Sequence, residues 1–342
     1  MASTESFPVI SVILPTLNAE RTLERCLASI RSQDYPQSCV EIIIADAGST
    51  DTTLDIAKHH HIEKIIPNKL KTGEAGKAAA IEASTGELLA LIDSDNIFDD
   101  TGYFSRAVKI LEDESIDSIE PMAWTYDPDD TLLNRYSALL GVNDPICYFL
   151  GNYNRYSHLS KKISGMKFKN EIDTPDALII DIDPDEVPTF GANGFILRRT
   201  ALDGINWHPY YFDIDVFQQM VQFGRSRIAV MKTETRHLFC DNVATFRRKQ
   251  SRRINDFLYH SRQKSRTYNY RAVSIGKYII FILSTITVVP LLWQSLRGCL
   301  NKPDSAWWFH PVACWITLWE YGWGTVRSLA GVSEYDRSTW KQ

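Results

Sequence analysis

GELLALIDSDN, residues 86–96, sets five apolar residues, Leu88 to Ile92, directly against Asp93, Ser94 and Asp95. An unbroken apolar run of this length, bounded by Gly86 and by polar residues, reads as a strand buried on both faces, the mark of a parallel sheet. No Lys or Arg lies nearby in sequence to balance the carboxylates at its end. Crowded carboxylates raise one another's pKa unless a positive charge sits among them. A divalent metal is one such charge; a wet turn leading to a helix N-cap is the alternative.

Two runs of the same kind precede it. VISVIL at 9–14 ends at Pro15, and VEIIIADAGSTD opens with a strand over 40–45 and continues into a polar, Gly-containing turn. A helix lies between them, with Asn18 as its cap and Leu23, Cys26, Leu27 and Ile30 at helical spacing up to Tyr35-Pro36. A second helix carries Leu54, Ile56 and Ala57 on one face. A shorter strand near 62–66 and a helix near 76–83 complete an alternation of strand and helix. Such alternation predicts an α/β fold, a Rossmann-like, mostly parallel sheet with helices on both faces. Ligands of these sheets sit at the carboxyl ends of the strands, which places Thr16, Asp46 and Asp93–Asp95 around one crevice.

Composition narrows the function. The chain has 342 residues, 44% hydrophobic and 23% charged, an ordinary globular balance. A formal charge of −5 argues against a nucleic-acid partner. Six cysteines without a CxxC pair indicate neither a zinc site nor a disulfide framework. The first residues lack the basic and apolar segments of a cleavable signal, so the body is expected to face the cytosol.

From 121 to 189 the pattern loosens into a stretch rich in aromatics, Asn, Asp and Pro, which reads as a substrate-specific insertion. Order returns with TFGANGFILRRTAL at 189–202 and YYFDIDVFQQMVQFG at 210–224, a helix stopped by Gly224. RIAVMKTETRHLF at 227–239 predicts a strand ending in His237, and FRRKQSRR at 246–253 is a dense basic cluster. In the tail, Tyr278–Trp293 and Ala306–Trp319 are uncharged runs of 16 and 14 residues, with Trp293, Trp307, Trp308, Trp319 and Trp323 near their ends. These predict membrane-associated helices, as a hairpin of two spans or as interfacial helices; buried helices of a soluble subdomain are the alternative.

Together, SVILPTLNAERTLERCLASIRSQDYP, EIIIADAGSTDTT and GELLALIDSDN resemble the family 2 glycosyltransferases of GT-A fold, strongly over residues 8–100 and again from GANGFILRR to about 255. The resemblance implies a GT-A domain over 1–265, with a nucleotide-sugar half at 8–120 and an acceptor half at 121–265, followed by a membrane-associated hairpin at 266–342. It implies inverting transfer from a nucleotide diphosphate sugar with Mg2+ or Mn2+. The matching positions put Pro15, Thr16, Asn18, Glu20 and Asp46 at the nucleoside. Ala47 stands where the family has a second aspartate, which leaves uridine and guanosine both open. Asp93-Ser94-Asp95 matches the DxD motif, with Asp95 on the metal and Asp93 on the ribose or the metal shell. His237 matches a histidine that completes that shell, and Lys77 a basic residue facing the nucleotide. The spacing back from Gly224 puts Asp213 at the position of the catalytic base, with Phe212 replacing the usual Glu and Asp215 as runner-up. Gly191, Asn193 and Gly194 fall on the acceptor side. Gln250-Ser251-Arg252-Arg253 resembles a QxxRW signature with Ile254 for Trp. Arg248, Lys249, Gln250, Arg252 and Arg253 then serve a diphosphate or anionic headgroups. The tail points to a membrane and to a lipid-linked acceptor, with a saccharide acceptor or a non-catalytic scaffold of the same fold as alternatives.

Overall fold

The computed structural model describes residues 7–268 and 274–334; positions 269–273 and 335–342 of the expected tail segment lie outside the described residues. The leading half alternates as the sequence predicts: β1 (Ile10–Thr16), α1 (Leu23–Arg31), β2 (Val40–Asp46), α2 (Thr53–His59), β3 (Lys64–Pro67), α3 (Gly73–Ala83) and β4 (Leu88–Leu91). β1 pairs in parallel with both β2 and β4, and β2 with β3. Side chains one apart point to opposite faces, so Val12 and Leu14 pack against α1 and α4 (Tyr103–Ile110), while Ile13 packs against α3. That two-sided burial is why these strands read as continuous apolar runs. Asn18 is not the cap of α1, which starts at Leu23 after Thr22. With φ of 49° it turns back and accepts the Thr50 N–H at 2.9 Å, tying the loop after β1 to the loop after β2.

The later strands make the sheet mixed. After β5 (Asn96–Ile97) come β6 (Ser118–Trp124), α5 (Leu132–Leu140), α6 (Pro145–Leu150), β7 (Phe168–Asp173), β8 (Ala177–Ile182), β9 (Phe195–Arg198), α7 (Asp213–Gln222), β10 (Arg227–His237) and α8 (Val243–Arg262). The sheet runs β3-β2-β1-β4-β9-β6-β10-β8-β7, with β5 on β10. β9 lies antiparallel between β4 and β6, whereas β10 runs parallel to β6. The loosely patterned insertion is thus β6, two short helices and the β7–β8 hairpin.

The tail departs from a hairpin of two spans. The uncharged run at 278–293 is split between α9 (Ile275–Thr287) and α10 (Val289–Asn301), which meet at 91°. Val288 at the break has φ of 62°, and Pro290 opens α10, where a missing N–H costs nothing. Among the described residues no single helix is long and apolar enough to cross a membrane; α9 and α10 meet that requirement only as a bent pair. α11 (His310–Ser328) follows a short turn in which Trp307 and Phe309 enter a core shared with Tyr136, Leu139, Leu140 and Phe246. Their outer faces stay apolar: Ile279, Leu283, Ile286, Val289, Trp293, Trp315, Trp319 and Trp323 are all exposed.

Two helix glycines in this tail separate packing from propensity. A Cβ on Gly298 would lie 2.3 Å from the buried Trp307 ring, whereas one on Gly322 would meet nothing within 4 Å. Alanine gains about 1 kcal/mol over glycine in a helix, but overpacking against a fixed ring costs about 1–3 kcal/mol. Gly298→Ala is therefore expected to lower the thermal midpoint and Gly322→Ala to raise it, both read by circular dichroism in detergent.

Candidate active site

The turn that follows β4 is held on three sides. The Asp93 N–H donates to Asn96 Oδ1 and the Asn96 N–H to the Asp93 carbonyl, each at 2.9 Å. The Leu238 N–H donates to the Asp95 carbonyl at 2.9 Å, which pins the turn to the end of β10. His237, the last residue of β10, thereby brings Nε2 to 3.5 Å from Asp95 Oδ1. Its Nδ1 faces the Asn143 amide nitrogen at 3.2 Å. Lys249, on α8, sets Nζ 3.7 Å from Asp95 Oδ2. Burial by itself would raise the Asp95 pKa, but His237 and Lys249 more than offset it and hold the carboxyl at about 2.

A second charged cluster adjoins the first. The buried Lys77, on α3, donates to both Asp213 oxygens at 2.9 and 2.8 Å and lies 3.5 Å from Asp93. Burial works against its charge, but Asp213 and Asp93 keep it protonated above the ordinary lysine range. Burial pushes the Asp213 carboxyl up to about 7 against the pull of Lys77, and Asp93 adds to the rise. A carboxylate that titrates near neutrality is poised to exchange a proton. Asp213 and Asp215, two residues apart at the start of α7, differ completely in surroundings. Asp215 Oδ2 accepts from Arg266 Nε at 2.9 Å and Nη2 at 2.6 Å, and Oδ1 accepts the N–H groups of Thr267 and Tyr268. Its oxygens are committed to holding segment 266–268. The same contacts place the Arg266 guanidinium 4.5 Å over the Phe212 ring, so the residue that replaces the family's Glu supports an arginine.

The remaining predicted residues divide. Pro15, Thr16, Lys77, Asp93, Ser94, Asp95, Asn193, Asp213, His237, Lys249, Arg252 and Arg253 line one cavity of about 880 Å³ at the carboxyl edge of the sheet. Asp46 does not line it, because its carboxylate accepts from Thr16 Oγ1, Ser49 Oγ and the N–H groups of Gly48 and Ser49, closing its own turn. Asn18 and Glu20 are also turned away, Glu20 toward Thr52. Gly191 and Gly194 lie behind the wall. A Cβ on Gly191 would crowd the Asp213 carbonyl at 3.0 Å, so this glycine lets the 189–194 turn approach α7. Gly194, at φ of 96°, packs against Phe98 and Pro121. Gln250 is buried, donating to the Asn143 carbonyl at 3.0 Å and accepting from Arg253 at 2.7 Å, so it braces α8. Arg248 does not line the cavity.

Several lining residues carried no sequence signal: Trp124, Asn143, Asn152, Asn154 and Arg266 from the insertion and the α8–α9 connection, and Tyr278, Phe281, Leu318 and Tyr321 from the tail. Asn96 also escaped notice, although its amide donates to Asn193 Oδ1 at 3.1 Å and joins the Asp93 turn to the acceptor-side turn. The one available clue was its position directly after the carboxylate pair.

Among the described residues no three His, Cys, Asp or Glu side chains converge as a complete metal shell. Asp95 and His237, ionised carboxylate beside imidazole, fit the partial shell of a Mg2+ or Mn2+ ion whose other ligands are phosphate oxygens and water.

Comparison with known proteins bears on the family and the fold. The model of the family described as glycosyl transferase family 2 matches residues 11–172. Glycosyltransferase AglE of Haloferax volcanii is 29% identical over 145 residues, 41% of this chain and 47% of that protein. The dolichyl N-acetyl-alpha-D-glucosaminyl phosphate 3-beta-D-2,3-diacetamido-2,3-dideoxy-beta-D-glucuronosyltransferase of Methanococcus voltae is 43% identical over 72 residues, 20% of this chain and 22% of that protein. The chain thus spans about half, or less, of the length of these curated relatives. The mannosyltransferase PcManGT from Pyrobaculum calidifontis, solved with GDP-Man and Mn2+, superposes with a TM-score of 0.54 at 15% identity, over 93% of this chain and 88% of that one, a likeness of fold.

The contrast between the two α7 carboxylates is open to test. Asp215→Ala removes the buried carboxylate that accepts from Arg266, Thr267 and Tyr268 and is expected to cost about 3 kcal/mol in urea unfolding. Asp213→Asn, at a site 21% exposed beside a lysine that retains Asp93, is expected to leave the unfolding midpoint close to that of the parent.

Proposed function

The segment spanning residues 11–172 belongs to glycosyl transferase family 2, and from that premise we propose that the protein transfers a sugar from a UDP- or GDP-linked donor with inversion at the anomeric carbon. The observation that carries the reading is the meeting of two charged clusters in one cavity: Asp95 with His237 and Lys249, and Lys77 with Asp93 and Asp213. The first suits a diphosphate, the second a proton transfer. Asp213 accepts the proton of the acceptor hydroxyl as its oxygen attacks the anomeric carbon. The bond from that carbon to the diphosphate breaks on the opposite face, and the electron pair leaves with the nucleoside diphosphate. Lys77 orients Asp213, and Arg252 and Lys249 add positive charge at the cavity wall. Mg2+ or Mn2+, held by Asp95 and His237, supplies counter-charge to the phosphates when bound. PcManGT, of the same fold, is bound to GDP-Man and Mn2+.

The acceptor in this reading is a membrane lipid or a lipid-linked saccharide. The name of the Methanococcus voltae relative places its acceptor on a dolichyl phosphate. In this chain, apolar stripes on α9, α10 and α11 face outward, an arrangement suited to helices lying in a membrane interface, with the nucleotide-sugar end of the cavity on the aqueous side. Five asparagines line the cavity, and of these Asn143, Asn152, Asn154 and Asn193 favour a saccharide at the transfer point.

Purified protein incubated in detergent with a panel of UDP- and GDP-sugars and Mn2+ is expected to release nucleoside diphosphate, and Asp95→Ala to abolish the release; absence of binding to every nucleotide sugar sinks the reading. Asp213→Asn is expected to lower kcat by roughly 10²- to 10⁴-fold while the protein still binds donor. Because a protonated Asp213 cannot accept a proton, kcat/KM should fall as pH drops through about 7. Lys77→Met, which removes the charge that favours the ionised carboxylate, should move that limb to higher pH.

A further inference from the structure

The same cavity changes character along its length. At one end stand the carboxylates. Beyond Arg252 and Arg253 it continues between α6, α8, α9 and α11, where Ile146, Leu150, Ile254, Phe281 and Leu318 form the wall. Its far lining residues Ile282, Gly322 and Thr325 are exposed, so the cavity opens between α9 and α11. That mouth adjoins the outward apolar stripes: Ile279, Leu283 and Ile286 flank it on α9, and Trp319, Trp323 and Val326 on α11. An aqueous substrate gains nothing from an apolar passage that opens onto an apolar surface, whereas a hydrocarbon chain stays out of water along the whole route.

Asn152 stands in sequence between the apolar lining residue Leu150 and the polar lining residue Asn154. It is fully buried in the cavity wall, and neither its Nδ2 nor its Oδ1 has a hydrogen-bond partner. Its backbone is well held, the carbonyl accepting the Thr189 N–H at 2.8 Å and the Thr189 hydroxyl at 2.9 Å. The neighbouring Asn154 is satisfied, donating to the buried Glu120 at 2.7 Å. A buried amide with both ends unmet costs stability unless something fills it. Because donor and acceptor are both unmet, the complementary group must accept and donate at once. A sugar hydroxyl does so; a phosphate ester at neutral pH offers only acceptors. The presence of Asp213 points the same way, since a hydroxyl needs a base and an ionised phosphate does not.

Resting on the glycosyltransferase reading above, we propose that the acceptor is the sugar of a lipid-linked saccharide. Its hydroxyl pairs with Asn152 as the wall side chains turn to admit it, and its hydrocarbon chain leaves the protein between α9 and α11 past Gly322. Arg252 and Arg253 face the phosphate that joins the sugar to the lipid.

The test uses the full chain in detergent with the donor that the wild type turns over. Three probe acceptors are compared: a farnesyl phosphate carrying a hexose, taken from a panel of hexoses, farnesyl phosphate itself, and the corresponding methyl hexosides. The farnesyl-linked sugars are expected to be glycosylated with a KM at least tenfold below the methyl hexosides, and farnesyl phosphate not at all. Asn152→Ala is expected to raise the acceptor KM about tenfold without lowering the thermal midpoint, since the side chain makes no hydrogen bond in the free protein. A structural role predicts the reverse. Gly322→Leu, which adds bulk at the mouth, should raise KM for the farnesyl-linked sugar more than for the methyl hexoside. Transfer to farnesyl phosphate, equal KM for the two sugar probes, or an unchanged acceptor KM in Asn152→Ala overturns this inference while donor turnover keeps the enzyme reading intact. A wild type that turns over no nucleotide sugar overturns both.

Discussion

Lys77 lies buried between Asp93 and Asp213, and the geometry of the cavity depends on that one cation. Asp93 follows the strand β4 of the leading half, Asp213 begins the helix α7 of the trailing half, and Lys77 comes from α3, ahead of both in sequence. A buried ammonium without a partner is costly, so Lys77 needs a carboxylate beside it, and Asp93 and Asp213 supply two. The bridge spans 136 residues between Lys77 and Asp213 and so locks the first and second halves of the chain into one site. It also explains how two acidic residues tolerate each other at the carboxyl edge of the sheet.

A second buried pair extends the frame. Asp215 gathers Arg266, Thr267 and Tyr268 onto α7, two residues along from Asp213 of the Lys77 bridge, and so brings the chain beyond α8 back against the site. From there α9 and α11 close over α6 and α8, with Trp307 filling the core they share with α5. The tail is therefore part of the cavity wall as well as an apolar outer surface. The helices whose outer faces are apolar are thus the same ones that line the site.

Most of the leading half was legible from its residues. The apolar runs before Pro15, Asp46 and Asp93 are strands because burial on both faces leaves no room for alternation, and their order dictates where the ends meet. Asp95 and His237 were visible as strand-end polar residues, and they do face each other. Asp46 was visible too, yet it holds its own turn, because a carboxylate within three residues of free N–H groups satisfies them first, while Asn18 and Glu20 reach across to the loop after β2. The spacing to Gly224 pointed at Asp213, with Asp215 as runner-up. The pattern of their neighbours separates them: one meets a lysine from α3, the other an arginine and two amides from a segment 51 to 53 residues downstream.

The amino-acid sequence by itself determined the alternating α/β frame, the carboxyl edge as the place of the site, the carboxylate turn at 93–95 and the apolar character of the tail. These follow from periodicity and local charge, which are short-range properties. Tertiary structure alone decided which acid stands beside Lys77, that the uncharged run at 278–293 breaks by 91° at Val288, and that α9 and α11 line the cavity holding the unpartnered Asn152. Each of those depends on residues far apart in the chain competing for the same buried space and the same charges, and no local pattern records the outcome of that competition.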